Sequence, residues 1–194
     1  MGAPQVALRE TITQPVTQEA EYIRQTGGQG HYAVVKLQIE PAAQGAGFTF
    51  DQQIAGGALP PEFIQAVQRG VQNALTSGVL ASYPVVDIKV TLLDGNFHEV
   101  DSRPPDFEIA GGMALREGCR KAGPILLEPY MEVETRAPEE YMGQLVNDFG
   151  RRRGEVAELK IMGGGMNAVR CLTPLTEMIG YATDLRSLTS GRGL

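Results

Sequence analysis

At Gly123-Pro124 a helical apolar stripe stops and a strand–helix pattern starts afresh, so the chain has to fold as two α+β modules rather than as one continuous sheet or bundle. Upstream, residues 31–40 place Val35, Leu37 and Ile39 on one face, the period of a half-buried strand, and Phe48 and Phe50 repeat it in a shorter run. Pro60-Pro61-Glu62 opens a helix with Phe63, Ile64, Val67, Val71 and Leu75 on one face, and Ser77-Gly78 stops it. Residues 85–93 read as a strand turned by Asp94-Gly95. Pro105-Asp106 begins a second helix bearing Phe107, Ala110, Met113 and Ala114. Past the break, residues 125–135 read as a strand. Pro138-Glu139-Glu140 opens a helix with acidic residues where its dipole favours them, and Tyr141, Met142, Leu145, Val146 and Phe149 form its stripe. Strands at 156–161 and 168–172 flank the turn Gly163-Gly164-Gly165, and Thr173-Pro174 is expected to cap a last helix with Leu175, Met178, Ile179, Ala182 and Leu185 facing inward. The expected domains are 1–123 and 124–194. The order strand–helix–strand–strand–helix in the second is that of a ferredoxin-like split unit without its last strand.

Composition bounds the function. No run approaches the ~18 apolar residues that a membrane helix needs, and Met1-Gly2-Ala3-Pro4 has no signal-peptide character. Membrane partners are therefore not expected. Cys119 and Cys171 stand far apart and read as reduced, buried thiols of a cytosolic protein. A net charge of −6 disfavours the broad basic face that wraps duplex DNA. Local clusters, Arg151-Arg152-Arg153 and Arg116 with Arg120 and Lys121, suit point contacts to RNA.

The chain holds no Gly-x-x-x-x-Gly-Lys-[Ser/Thr] loop and no His/Cys spacing of a metal site, so no catalytic residue, metal or cofactor is expected. Two polar turns stand out. Gly27-Gly28-Gln29-Gly30-His31 can take positive φ and come close to another backbone; it is either a plain hairpin tip or a tip that meets nucleic acid. Asn96-Phe97-His98-Glu99-Val100-Asp101-Ser102 sets an aromatic–histidine pair among acidic residues, as in an exposed contact loop.

Taken together, several blocks resemble elongation factor G. They are Arg9-Glu10-Thr11, Gln25-Thr26-Gly27-Gly28, Tyr83-Pro84-Val85-Val86-Asp87 and His98-Glu99-Val100-Asp101-Ser102, then Leu127-Glu128-Pro129, Arg152-Arg153-Gly154 and 177–187, in order along the chain. The resemblance implies the fourth and fifth domains of that factor, a ribosomal-protein-S5-like α+β fold followed by a ferredoxin-like one. It implies a ribosomal partner and a cytoplasmic location, with GTP and Mg belonging to an upstream domain. The tip residues Gly27, Gly28, Gln29, Gly30, His31, Asn96, Phe97, His98, Glu99, Asp101 and Ser102 are implied to enter the small-subunit decoding site and to keep tRNA and mRNA from slipping back. Glu177, Met178, Gly180, Tyr181, Arg186 and Ser187 are implied to face large-subunit RNA. The family usually has arginine where this chain has Gln29 and glutamine where it has His31, which removes a phosphate-binding cation. Arg103 adds one nearby. A ribosome-rescue or tetracycline-protection paralogue shares the architecture. Gly27-Gly28-Gln29 also matches the tripeptide of peptidyl-tRNA-hydrolysing release factors, an alternative in which the chain is an enzyme.

Overall fold

The computed structural model describes residues 6–194, apart from the side chains of Thr26 and Gln29; Met1-Gly2-Ala3-Pro4 lies outside them. The chain forms two compact units, one of Leu8–Leu127 and one that contains Glu128–Leu194.

The first unit begins with β1 (Arg9–Ile12) and the long hairpin of β2 (Val16–Thr26) and β3 (Gln29–Pro41). β4 (Phe48–Gln52), α1 (Pro61–Ser77), β5 (Ile88–Asn96), α2 (Pro104–Lys121) and β6 (Pro124–Leu127) follow. The four-stranded sheet has the order β2-β3-β5-β4, antiparallel except for β4 beside β5. Val35, Leu37 and Ile39 of β3 bury completely with Val90 and Leu92 of β5 against Val67 of α1 and Phe107 and Leu115 of α2. The two helices cross closely because Gly70 has no side chain: a Cβ there would lie 1.9 Å from the Glu108 carbonyl oxygen.

Three expectations change in this unit. Val85 stays outside the strand, because Asp87 takes φ +57° and β5 starts at Ile88. Asp94-Gly95 is not a turn. β5 runs on to Asn96, pairing Asp94 with Lys36 and Gly95 with Val35, and a register shift next to Leu37 leaves Leu93 as a bulge. Gly95 is there for close approach, since a Cβ would meet Leu59 at 3.0 Å and the Val34 carbonyl oxygen at 3.2 Å. Finally, the strand expected after the break at Gly123-Pro124 divides in two. β6 pairs with β1, so this unit extends to Leu127, and the single strand expected at 125–135 is two strands separated at Glu128-Pro129.

β1 also anchors the chain through Glu10. Its side chain is fully buried, and its two carboxylate oxygens accept N–H bonds from Val79, Leu80, Ala81 and Tyr83 at 2.7–3.0 Å. Burial works to raise this carboxyl's pKa, but the four backbone donors outweigh it and hold the group below its ordinary 4.5.

The second unit runs β7 (Tyr130–Pro138), a 3₁₀ turn at Glu139–Tyr141, α3 (Met142–Arg151), β8 (Glu155–Gly163), β9 (Met166–Pro174), a 3₁₀ turn at Leu175–Met178 and α4 (Tyr181–Leu188). Its sheet order, β7-β9-β8, with every pair antiparallel, is that of the ferredoxin-like split unit. On the open side of β7, Arg136 and Leu194 exchange both backbone hydrogen bonds at 2.9 Å. The core joins Ala137, Val169 and Cys171 to Leu145, Phe149, Tyr181 and Leu185.

The last helix starts later than expected. Thr173 remains in β9, and its hydroxyl donates to the Arg152 carbonyl at 3.1 Å instead of capping. Gly180 at φ +81° makes the turn into α4. Leu175, Ile179 and Ala182 therefore face solvent, while Tyr181 and Leu185 are buried. Both cysteines are unpaired and buried; burial, with the Glu10 charge adding to it, pushes the Cys119 thiol up to about 12, and burial raises Cys171 as well.

Candidate functional site

The two turns singled out in the sequence meet at one end of the first unit. Gly27 (φ +60°) and Gly28 (φ +89°) close the β2–β3 hairpin, and a Cβ on either would meet nothing within 4 Å. Their requirement is conformational, since an L side chain rarely adopts such φ values. The side chain of Gln29 lies outside what the structure describes.

Residues 97–103 lock onto this hairpin. The Tyr32 N–H donates to the Asp101 carbonyl at 3.1 Å, and the Ser102 hydroxyl donates to the Tyr32 carbonyl at 2.5 Å. That hydroxyl also accepts the His98 N–H at 2.8 Å, while the Ser102 N–H donates to the His98 carbonyl at 3.1 Å. Gly30 matters through packing, because a Cβ there would come within 2.3 Å of the Asp101 carboxylate. Hairpin and loop thus form one end, held at Tyr32 by one backbone bond and one from the Ser102 hydroxyl.

The two histidines differ sharply. His98 is an exposed side chain at the loop apex, with Nδ1 3.3 Å from Asp101 Oδ2. His31 sits lower, its Nδ1 2.8 Å from the Oδ1 of Asp106, a carboxylate only 3 % exposed. The other oxygen of Asp106 accepts the Arg103 N–H at 3.0 Å and so caps α2. Nδ1 of His31 is thus engaged with Asp106, and Nε2 is the ring nitrogen left for other contacts. The His31 ring meets Tyr22 edge-on, with Arg24 over the Tyr22 face at 5.4 Å. Arg24, Gly30, His31, Tyr32 and Asp101 line a hollow of about 240 Å³.

Phe97 is a correction to the exposed-loop reading. Its ring turns inward and packs on Phe63, centroids 5.6 Å apart, and Phe63 in turn stacks on Phe107 at 4.5 Å. Phe97 anchors the loop, which leaves Asn96, His98, Glu99 and Val100 as its exposed members.

In the second unit, of Glu177, Met178, Gly180, Tyr181, Arg186 and Ser187, two residues meet a pair of consecutive arginines: Glu177 and Tyr181. Arg152 donates to Asp148 (2.8 Å), the Glu177 carbonyl (2.7 Å) and Asp184 (2.7 Å), and its guanidinium lies 4.9 Å over the Tyr181 ring. Burial opposes its charge, but those bonds hold its pKa above the ordinary value. Arg153, at φ +56°, grips Glu128 with both terminal nitrogens at 2.7 and 3.1 Å and reaches Glu177 at 3.2 Å. The Glu128 bond raises the arginine and lowers the carboxyl. Tyr181 is buried, which raises its phenol. Tyr181 and Met178 therefore support the surface that Glu177, Gly180, Arg186 and Ser187 present. The sequence suggests point contacts to RNA for Arg151-Arg152-Arg153, but Arg152 and Arg153 bind carboxylates of their own unit, and two cations before Gly154 carry no signal for which carboxylates they meet.

Family models cover the chain almost end to end: elongation factor G, domain IV, over residues 4–123, and the elongation factor G C-terminus over residues 125–194. A crystal structure of a protein from Thermus thermophilus is similar at a TM-score of 0.86 and 35 % identity, covering 100 % of this chain and 29 % of that one. The chain thus spans under a third of the length of that protein.

Proposed function

Since the chain belongs to the elongation factor G family through that factor's domain IV and its C-terminus, we propose that it is the ribosome-facing arm of a translational GTPase. The tip of the first unit enters the small-subunit decoding site and blocks back-slippage of tRNA and mRNA. The face around Glu177 and Arg186 meets large-subunit RNA. The observation that carries this reading is the tip itself: two hydrogen bonds at Tyr32 tie the loop to the hairpin and two more between His98 and Ser102 close the loop, while Gly27 and Gly28 have open space around them and the His98 side chain is exposed. A braced end with an exposed histidine and a permissive glycine backbone is suited to reading the shape of an RNA junction. The acidic balance of the chain agrees with local contacts rather than broad phosphate neutralisation.

In this reading the chain itself binds and hydrolyses no nucleotide, and its contribution to translocation is mechanical. Sedimentation with purified ribosomal subunits, followed by chemical footprinting of the RNA, tests it. Protection in the decoding region that His98→Ala weakens is the expected outcome. In the full-length parent the same substitution should slow translocation while GTP hydrolysis continues. Micromolar GTP binding by the chain, or peptidyl-tRNA hydrolysis dependent on it, would overturn the proposal in favour of an enzyme.

A further inference from the structure

Among the described residues, strand β8 is an open sheet edge whose inward-facing side chains are exposed. Leu159 is 59 % exposed and Ile161 84 %, although both lie on the face that carries the core residues Val169 and Cys171 of β9. Register shifts at Val156/Glu158 and Ile161/Gly163 leave Glu158, Leu159, Lys160 and Ile161 as a regular run between two irregularities. The unpaired backbone groups of a sheet edge template further strand pairing where the side chains of the incoming strand match.

The charges on this run point to what pairs with it. On the opposite face, Arg170 of the central strand is held by Glu132 (3.0 Å), Glu134 (3.4 Å) and Glu158 (3.3 Å). Lys160 lies on that same face, next to Glu158 along the edge. If a second β8 runs antiparallel across a two-fold axis at Leu159, Glu158 of each strand falls opposite Lys160 of the other. Leu159 then meets Leu159, and Ile161 lies over the partner's stretch around Ala157. Opposite charges directly across a strand pair stabilise it, and like charges destabilise it. In this register one segment is complementary to itself in charge and in apolar face, as an isologous interface requires.

We propose that the β8 edge is a self-association surface, through which two copies of this chain join their three-stranded sheets into one antiparallel sheet about a two-fold axis at Leu159. The paired segment is short and falls well below the roughly 800 Å² per partner of a stable complex, so the dimer is reversible and concentration-dependent.

Sedimentation velocity across about 10 μM to about 1 mM protein, a range matched to a weak contact, provides the test. The weight-average mass should rise from one chain towards two. Lys160→Glu places carboxylates opposite each other at both ends of the segment and should keep the chain monomeric over the same range. Glu158→Lys combined with Lys160→Glu exchanges the charges and should restore association. Leu159→Lys should abolish it in either background. Far-UV circular dichroism checks that each variant is folded, as expected for substitutions at exposed positions. A mass that stays at one chain throughout, association indifferent to Lys160→Glu, or a double exchange that fails to restore it would each overturn the proposal.

Discussion

Glu10 and the two histidines show how differently single polar residues act in this fold. The Glu10 carboxylate satisfies four backbone N–H groups of residues 79–83 from a fully buried position. Glu10→Gln replaces one accepting oxygen by an amide that can only donate, and leaves buried N–H groups unpaired at a cost of about 3 kcal/mol. Urea denaturation should show this loss at neutral pH. Its pH dependence follows from the depressed folded-state pKa. The stabilisation is fully present above the ordinary 4.5 and is lost as pH falls through the lower folded value, so wild type and Glu10→Gln should converge in acid. His98→Ala, at the exposed loop apex, should change stability by no more than about 0.5 kcal/mol. His31→Ala removes the partner of a buried carboxylate and should cost about 1–2 kcal/mol in the same assay. Equal losses at the two positions would contradict the division between an exposed apex and a packed support.

At the scale of elements, glycines separate close packing from mere permissiveness. Gly70→Ala drives a Cβ into the Glu108 backbone at the α1–α2 crossing, where neither helix can yield cheaply, and should cost at least about 3 kcal/mol. Gly143→Ala in α3 meets nothing within 4 Å and should stabilise by about 0.5–1 kcal/mol through helix propensity alone. Thermal unfolding of the two variants gives opposite shifts if this holds. The same distinction marks what could be read in advance. Strands and helices with long periodic stripes, such as Val35-Leu37-Ile39 and Phe63-Val67-Val71, are legible because one buried face dictates the period. Asp94-Gly95 misleads because a glycine demanded by Leu59 looks the same in sequence as a glycine demanded by a turn. Thr173-Pro174 misleads likewise, since a cap signal cannot reveal that Arg152 supplies the hydroxyl's partner from another element. Of the tip, the glycine pair and His98 are visible in the sequence. The inward Phe97 and the His31–Asp106 bond, 75 residues apart along the chain, depend on tertiary contacts that no local pattern carries.

For the whole molecule, the buried residues form two clusters with no member in common, the first far larger than the second. A domain's stability rises with the share of its surface that it buries, so the unit containing Glu128–Leu194 should be the less stable of the two. Its small core depends on Arg152, which binds Asp148 of α3, Asp184 of α4 and the Glu177 carbonyl between them. Arg152→Ala removes three charge-assisted bonds from a largely buried site and should cost about 3 kcal/mol. Hydrogen exchange read by mass spectrometry resolves the two units. Amides of 128–194 should open together at a lower free energy than those of the sheet at 16–52 and 88–96. Arg152→Ala should accelerate exchange in the first set and Glu10→Gln in the second. If either substitution accelerated both sets equally, the chain would be unfolding as a single cooperative body, and stability lost at the carboxyl-terminal arginine would be felt at the tip.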